Sequence, residues 1–170
     1  MVSLRNLEGA LKRLSNIGSL LKKIYRQYNG RLLTSLQNRG FNDLRPSFLE
    51  ILVYVCEVDG PTIKEVGNAC ELKKQTMTSH LNELQKRGYI IRKVSEHDKR
   101  EQRVFLTEYG ERFKFSLLES IELLDSDYTS IVGDLEMDRV NSTLESFHQK
   151  TSTRESDDNS KFQLNLSLDF

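Results

Sequence analysis

This sequence predicts a mostly α-helical fold with one small β-hairpin, an α+β arrangement, and three observations predict it. Apolar residues recur every three or four places along most of its 170 residues, the spacing of helices buried on one face. One stretch breaks that rhythm: Tyr89-Val94 is β-branched and is answered, across a charged tip, by Gln102-Leu106. Just ahead of it, between Pro61 and Gly88, two short helical segments are separated by only a few residues. Two helices, a tight turn and a basic hairpin make a winged helix-turn-helix.

Taken in order, Leu4, Leu7, Leu11, Leu14, Ile17, Leu21, Ile24, Tyr28, Leu32 and Leu36 form one apolar stripe and predict a helix over 4–36, weakest at Gly18 and Gly30. Some 33 residues would span about 50 Å, more than a small domain needs for its own core. The stripe therefore fits either packing on its own domain or pairing with a second subunit. Gly40 sits where a left-handed helix cap belongs. Pro46 opens the next helix, which buries Phe48, Ile51, Leu52, Val55 and Cys56 and stops at Asp59-Gly60-Pro61. Thr62 and Glu65 have the spacing of a capping box, with Ile63, Val66 and Cys70 facing inward behind it.

The helix expected over 73–87 buries Met77, Leu81 and Leu84 and ends at Gly88. Its other face shows Lys74, Gln75, Thr78, Ser79 and Asn82; with Lys73 and Thr76 these are the candidate DNA contacts, since base edges in a major groove need short polar groups near a helix N-terminus. In the hairpin Val104 and Leu106 alternate inward, Arg103 and Phe105 outward. The tip over 95–103 has no glycine turn; Arg100 is placed to enter a minor groove, with Asp98 beside it to hold it and Arg103 on the return strand. Thr107 caps another helix, in which Phe113, Leu117, Ile121, Leu124 and Tyr128 recur. After Gly133, Asp134 starts a last helix with Met137, Val140, Leu144 and Phe147 inward. Residues 151–170 read as a flexible tail, polar at first and then alternating from Phe162 to Phe170.

Charged residues are 29% of the chain, hydrophobic ones 37%, and the net charge is zero. The distribution matters more than the sum. Residues 1–39 carry +7 and 73–103 carry +5, against −4 over 40–72 and −8 over 104–170. Phosphate responds to charge within a screening length of ~8–10 Å, so the basic helix and wing can attract nucleic acid despite the neutral total. No apolar run is long enough to span a membrane, no secretion signal is evident, and two cysteines suit a reducing interior, so a cytoplasmic protein is expected.

Three pieces resemble the MarR family of bacterial transcription regulators. The first is Leu72-Lys73-Lys74-Gln75-Thr76-Met77-Thr78, continued by Leu84 and Lys86-Arg87-Gly88-Tyr89-Ile90. The second is the wing tip Asp98-Lys99-Arg100, and the third is Val104-Phe105-Leu106-Thr107-Glu108-Tyr109-Gly110. The resemblance runs from about Leu4 to Phe147. It implies a homodimer joined through residues 4–36 and 108–147, with each recognition helix reading half of a palindrome and Arg100 probing the adjacent minor groove. It also implies a pocket for a small effector between the dimer helices and the DNA lobe. The chain then divides into a dimerisation helix (1–40), a DNA-binding lobe (41–107), C-terminal dimerisation helices (108–150) and the tail. Ser79 and Gln102 depart from basic residues usual in the family, which reduces the expected phosphate contacts.

Catalytic and cofactor signatures are missing: the sequence has no phosphate-binding glycine loop, no HExxH and no CxxC. His80, His97 and His148 are not spaced with cysteine for zinc, so neither a metal nor an enzyme activity is expected. Cys56 and Cys70 fall on apolar stripes and read as buried structural thiols. The rival reading is a winged-helix module that contacts protein and not DNA.

Overall fold

The structure, a computed structural model, describes residues 4–95 and 99–166, with side chains described from 16 to 152 within that range. Its elements are α1 (Leu4–Asn38), α2 (Pro46–Glu57), α3 (Ile63–Ala69), α4 (Lys74–Lys86), β1 (Ile90–Val94), β2 (Gln102–Leu106), α5 (Glu108–Val132) and α6 (Asp134–Leu166). They form two compact units that divide between Leu124 and Asp125.

Local chemistry explains where most helices of the first unit end. Three of them close on the same left-handed motif, in which two backbone N–H groups return to the last turn. After α1, Gly40 at φ 103° lets its own N–H reach Gln37 O at 3.0 Å and the Phe41 N–H reach Leu36 O at 3.1 Å. After α4, Gly88 at φ 82° does the same, with bonds to Gln85 O and Leu84 O at 3.0 Å. After α3 the left-handed residue is Glu71, at φ 51°, with bonds from Glu71 N to Asn68 O (3.2 Å) and from Leu72 N to Gly67 O (3.0 Å). A side chain there is strained where glycine would not be. Glu71→Gly is therefore expected to stabilise the chain by about 0.5–1 kcal/mol, read as a higher urea midpoint; an unchanged or lower midpoint would show that the turn is not strained.

The core of this unit is built from Leu36, Phe48, Ile51, Leu52, Val66, Met77, Leu81, Leu84, Tyr89, Ile90, Val104 and Phe113, all at most 2% exposed. Fully burying side chains of this size stabilises by roughly 1.5–3 kcal/mol each before entropy is counted. Among the described side chains of α1, the last turns join in through Leu32 and Leu36, while Ser35 Oγ donates to Ser120 Oγ at 2.9 Å and Arg39 pairs with Glu119 on α5. Earlier along α1, Ile17, Leu20, Leu21, Ile24 and Tyr25 are 41–61% exposed. The stripe thus divides: its end packs on the chain's own domain, and residues 17–25 are left uncovered by it.

In the second unit α6 begins after Gly133 (φ 93°), and Met137 N bonds to Gly133 O at 3.0 Å. Two expectations need correction here. Val140, Leu144 and Phe147 were placed inward, yet they are 44–53% exposed, because an apolar stripe says that a face needs cover but not what supplies it. The helix was also expected to stop near 150; it runs on to Leu166, and 151–166 contain neither glycine nor proline to break it. The remainder of that expected tail, 167–170, lies outside the described residues. Among the described residues no helix is long and apolar enough to cross a membrane.

Candidate nucleic-acid interface

Residues 61–65 anchor the helix pair. The Thr62 hydroxyl accepts from Glu65 N at 3.1 Å and the Glu65 carboxylate accepts from Thr62 N at 2.7 Å, completing the capping box. The Thr62 backbone N–H, and then its hydroxyl, hold the Glu65 carboxyl below its usual pKa. From this anchor the chain also joins the hairpin: Val104 N donates to Pro61 O at 2.9 Å, and Thr62 makes an antiparallel bridge with Arg103. Gly60, at φ 61°, lies under the Phe105 ring, where a Cβ would come within 2.6 Å of it. Phe105 is consequently half-buried, although its alternation had suggested an outward side chain.

The start of α4 breaks the usual local rules. Its N-cap is Lys73, which makes no side-chain cap bond, and its first turn holds no acidic residue. Helix N-termini carry partial positive charge and unpaired N–H groups, so lysines at positions 73 and 74 are locally unfavourable until an anion arrives. Lys73, Lys74, Gln75, Thr76, Thr78, Ser79 and Asn82 are all exposed, on the face opposite buried Met77, Leu81 and Leu84. The Thr78 hydroxyl donates to Lys74 O at 2.8 Å, which leaves its lone pairs and methyl group for a partner.

The hairpin pairs Ile90 with Leu106 through Val94 with Gln102, and Ser95 N bonds to Glu101 O at 2.9 Å at the tip. Arg100 is exposed there, and Asp98 lies outside the described residues. A cleft of about 410 Å³ brings the wing and helices together, lined by Thr62, Ile63, Lys64, Lys74, Arg100, Glu101 and Gln102. Lys74 and Arg100, 26 residues apart in sequence, thus share one surface, with Lys64 as a third cation that the sequence reading did not select. Arg103, the expected contact on the return strand, is also held internally: its guanidinium donates to Gly60 O at 2.9 Å and pairs with Glu101 at 3.0 Å, tying the wing to the loop before α3.

Sequence reasoning also missed two polar clusters. Arg92 on β1 reaches across to α4, donating from Nη2 to Asn82 Oδ1 at 2.7 Å and from Nε to Gln85 Oε1 at 2.8 Å. At the other end of α4, Arg87 Nη1 donates to Asp43 O and Oδ2, both at 3.0 Å, and the Tyr89 hydroxyl donates to Asp43 Oδ1 at 2.8 Å. Burial alone would raise the Asp43 pKa, but the bonds from Tyr89 and Arg87 outweigh it and hold the carboxyl below its ordinary value. The same burial and bond push the Tyr89 hydroxyl up. Strand alternation could have signalled Arg92, since it shares a face with Ile90 and Val94; no sequence signal links Asp43 to residues more than 40 positions away.

The remaining candidates are inert. His80 stands edge-on to Phe48, with ring centroids 5.4 Å apart, as a half-buried packing residue. Burial pushes the Cys56 thiol up to about 12 and raises that of Cys70, so neither forms much thiolate at neutral pH. Among the described residues no cluster of His, Cys, Asp and Glu could hold a metal ion.

A hairpin fixed beside an exposed, lysine-led second helix defines a winged helix-turn-helix protein. Residues 42–101 of the chain match the model of the MarR family. Its fold is similar to that of a MarR transcriptional regulator from Methanosarcina mazei Go1 (20% identity, 82% of this chain and 98% of that one, TM-score 0.71). It is also similar to a MarR family protein from Bacillus stearothermophilus (24% identity, 83% and 96%, TM-score 0.64). A third similar structure is a mutant of S. aureus MepR bound to an oligodeoxyribonucleotide (18% identity, 79% and 97%, TM-score 0.54). No curated protein matches the sequence.

Proposed function

We propose that the chain is a dimeric transcriptional regulator that binds a pseudo-palindromic duplex DNA site through α4 and the wing 95–103. The observation that carries this reading is the surface shared by Lys74 and Arg100, at a helix start with no side-chain cap and no acid. Local rules broken without internal compensation are expected at functional sites, and phosphate supplies the missing compensation here. The oligodeoxyribonucleotide bound by the MepR structure of similar fold supports the choice of DNA as the anion.

Pairing is supported by the apolar residues that the chain leaves uncovered. On α1 these are Ile17, Leu20, Leu21, Ile24 and Tyr25; on α6 they are Val140, Leu144 and Phe147. Contiguous apolar stripes of this kind call for a partner, and a second copy supplies the same stripes by symmetry. Two copies then present two α4 helices, each to one half-site.

The test is selection of bound duplexes from random DNA by the full chain. An inverted repeat is expected, with half-site centres one turn apart, about 34 Å. Arg100→Ala should weaken binding chiefly where the wing meets a minor groove, because that contact reads groove width. Failure to enrich any sequence, with no duplex retained, would favour the protein-contact reading of the same fold.

A further inference from the structure

We infer that Arg92 is a specificity-determining residue: it fixes Asn82 as a hydrogen-bond donor, so that this position of α4 reads guanine in preference to adenine. The inference rests on the DNA-binding reading above. Gln75, Thr78 and Asn82 are spaced i, i+3 and i+7, so they lie on one stripe of the exposed helix face. Asparagine ordinarily selects adenine by a paired contact, its carbonyl accepting from N6 while its amide donates to N7. Here the carbonyl of Asn82 already receives the Arg92 guanidinium at 2.7 Å, and Gln85 Oε1 receives the same guanidinium at 2.8 Å.

Competition for that carbonyl decides the readout. A hydrogen bond from a guanidinium is roughly twice as strong as one from a neutral amino group, so adenine N6 is the weaker rival for Asn82 Oδ1. An adenine amino group would also be brought beside a cation, which has no acceptor to offer it. Guanine meets no such conflict, since O6 and N7 are both acceptors and face the free amide hydrogens of Asn82 with the positive charge behind them. The clamp is geometric as well as electrostatic. Two bonds from one planar group to side chains i and i+3 on the helix fix the amide's rotation, which a single bond would not.

The experiment is equilibrium competition by the full chain between duplexes that differ only by guanine or adenine at each symmetric half-site position, using the wild type, Arg92→Leu, Arg92→Lys and Asn82→Ala. The wild type is expected to prefer guanine by about tenfold at one position per half-site, the value of one well-placed contact. Arg92→Leu should remove that preference or invert it toward adenine while leaving the other positions unchanged. Asn82→Ala should remove it, and a double variant carrying Arg92→Leu and Asn82→Ala should lose no more than either single one. Arg92→Lys, which keeps the charge and one donor, should retain part of it. A uniform loss of affinity for all duplexes in Arg92→Leu, or a wild-type preference for adenine at the position lost in Asn82→Ala, would overturn the inference. A wild type that binds no duplex at all would remove the DNA-binding reading and this inference with it.

Discussion

Gly110→Ala should destabilise the chain by about 2–3 kcal/mol and lower its thermal midpoint by roughly 5–10 °C, although alanine is the better helix former. The sign is a contest between two effects. Gly110 is the third residue of α5, and in an open helix the exchange would gain about 1 kcal/mol. Its Cβ, however, would lie 2.1 Å from Tyr89 O and 3.1 Å from two carbons of Leu106. Tyr89 O cannot move aside cheaply, because it accepts from Thr107 N at 3.1 Å and from the Thr107 hydroxyl at 3.2 Å. Thr107 is itself committed, accepting from Gly110 N at 3.0 Å as the cap of α5. The added methyl must therefore part α5 from the base of the hairpin, and overpacking wins. Gly30→Ala is the control: it is helical and has nothing within 4 Å of the added Cβ, so it should stabilise modestly. Equal midpoints for the two variants, measured by calorimetry, would mean that α5 does not abut the hairpin as closely as described.

Asp43→Ala is the second large effect, a loss of about 2 kcal/mol at neutral pH. Its carboxylate holds both Arg87, the C-cap of α4, and the hydroxyl of Tyr89, whose ring is wholly buried among Phe41, Tyr109 and Phe113. Removal takes the carboxylate acceptor from the hydroxyl, which keeps Tyr109 as a weaker neutral neighbour, and leaves the guanidinium with Glu83 at 3.7 Å as its remaining carboxylate. The Asp43–Arg87 pair is partly open to solvent, which keeps the figure below that of a fully buried pair. Because the folded-state pKa of Asp43 is lowered, its contribution is complete above the unfolded carboxylate value near 4 and is lost as pH falls through the lower folded value. Urea midpoints at pH 7 and pH 3 should therefore fall further in the wild type than in Asp43→Asn. Parallel loss in both proteins would remove Asp43 as a source of acid sensitivity.

Much of this architecture was legible because it is written in neighbouring residues. Thr62 with Glu65, Gly40, Gly88 and Thr107 each settle a helix end through bonds reaching only a few positions along the chain. The exposed face of α4 was legible for the same reason, since Met77, Leu81 and Leu84 fix which side is inside. Side-chain partnerships over longer range were not. The bonds of Arg103 to Gly60 and Glu101, and the acceptors that Arg92 clamps on α4, have no signal in the sequence pattern. A guanidinium can span several ångströms in many directions, and periodicity does not choose among its acceptors. Cover was equally illegible: the stripes of α1 and α6 read identically to core stripes, and only their exposure tells them apart.

Contact between DNA phosphates and the lysine-led start of α4 with its wing must show in the salt dependence of duplex binding. With wild type and Lys74→Ala on one duplex, the logarithm of affinity should fall linearly with the logarithm of salt, and Lys74→Ala should flatten the slope by about one phosphate contact. Binding that ignores salt, or identical slopes for the two proteins, would contradict it.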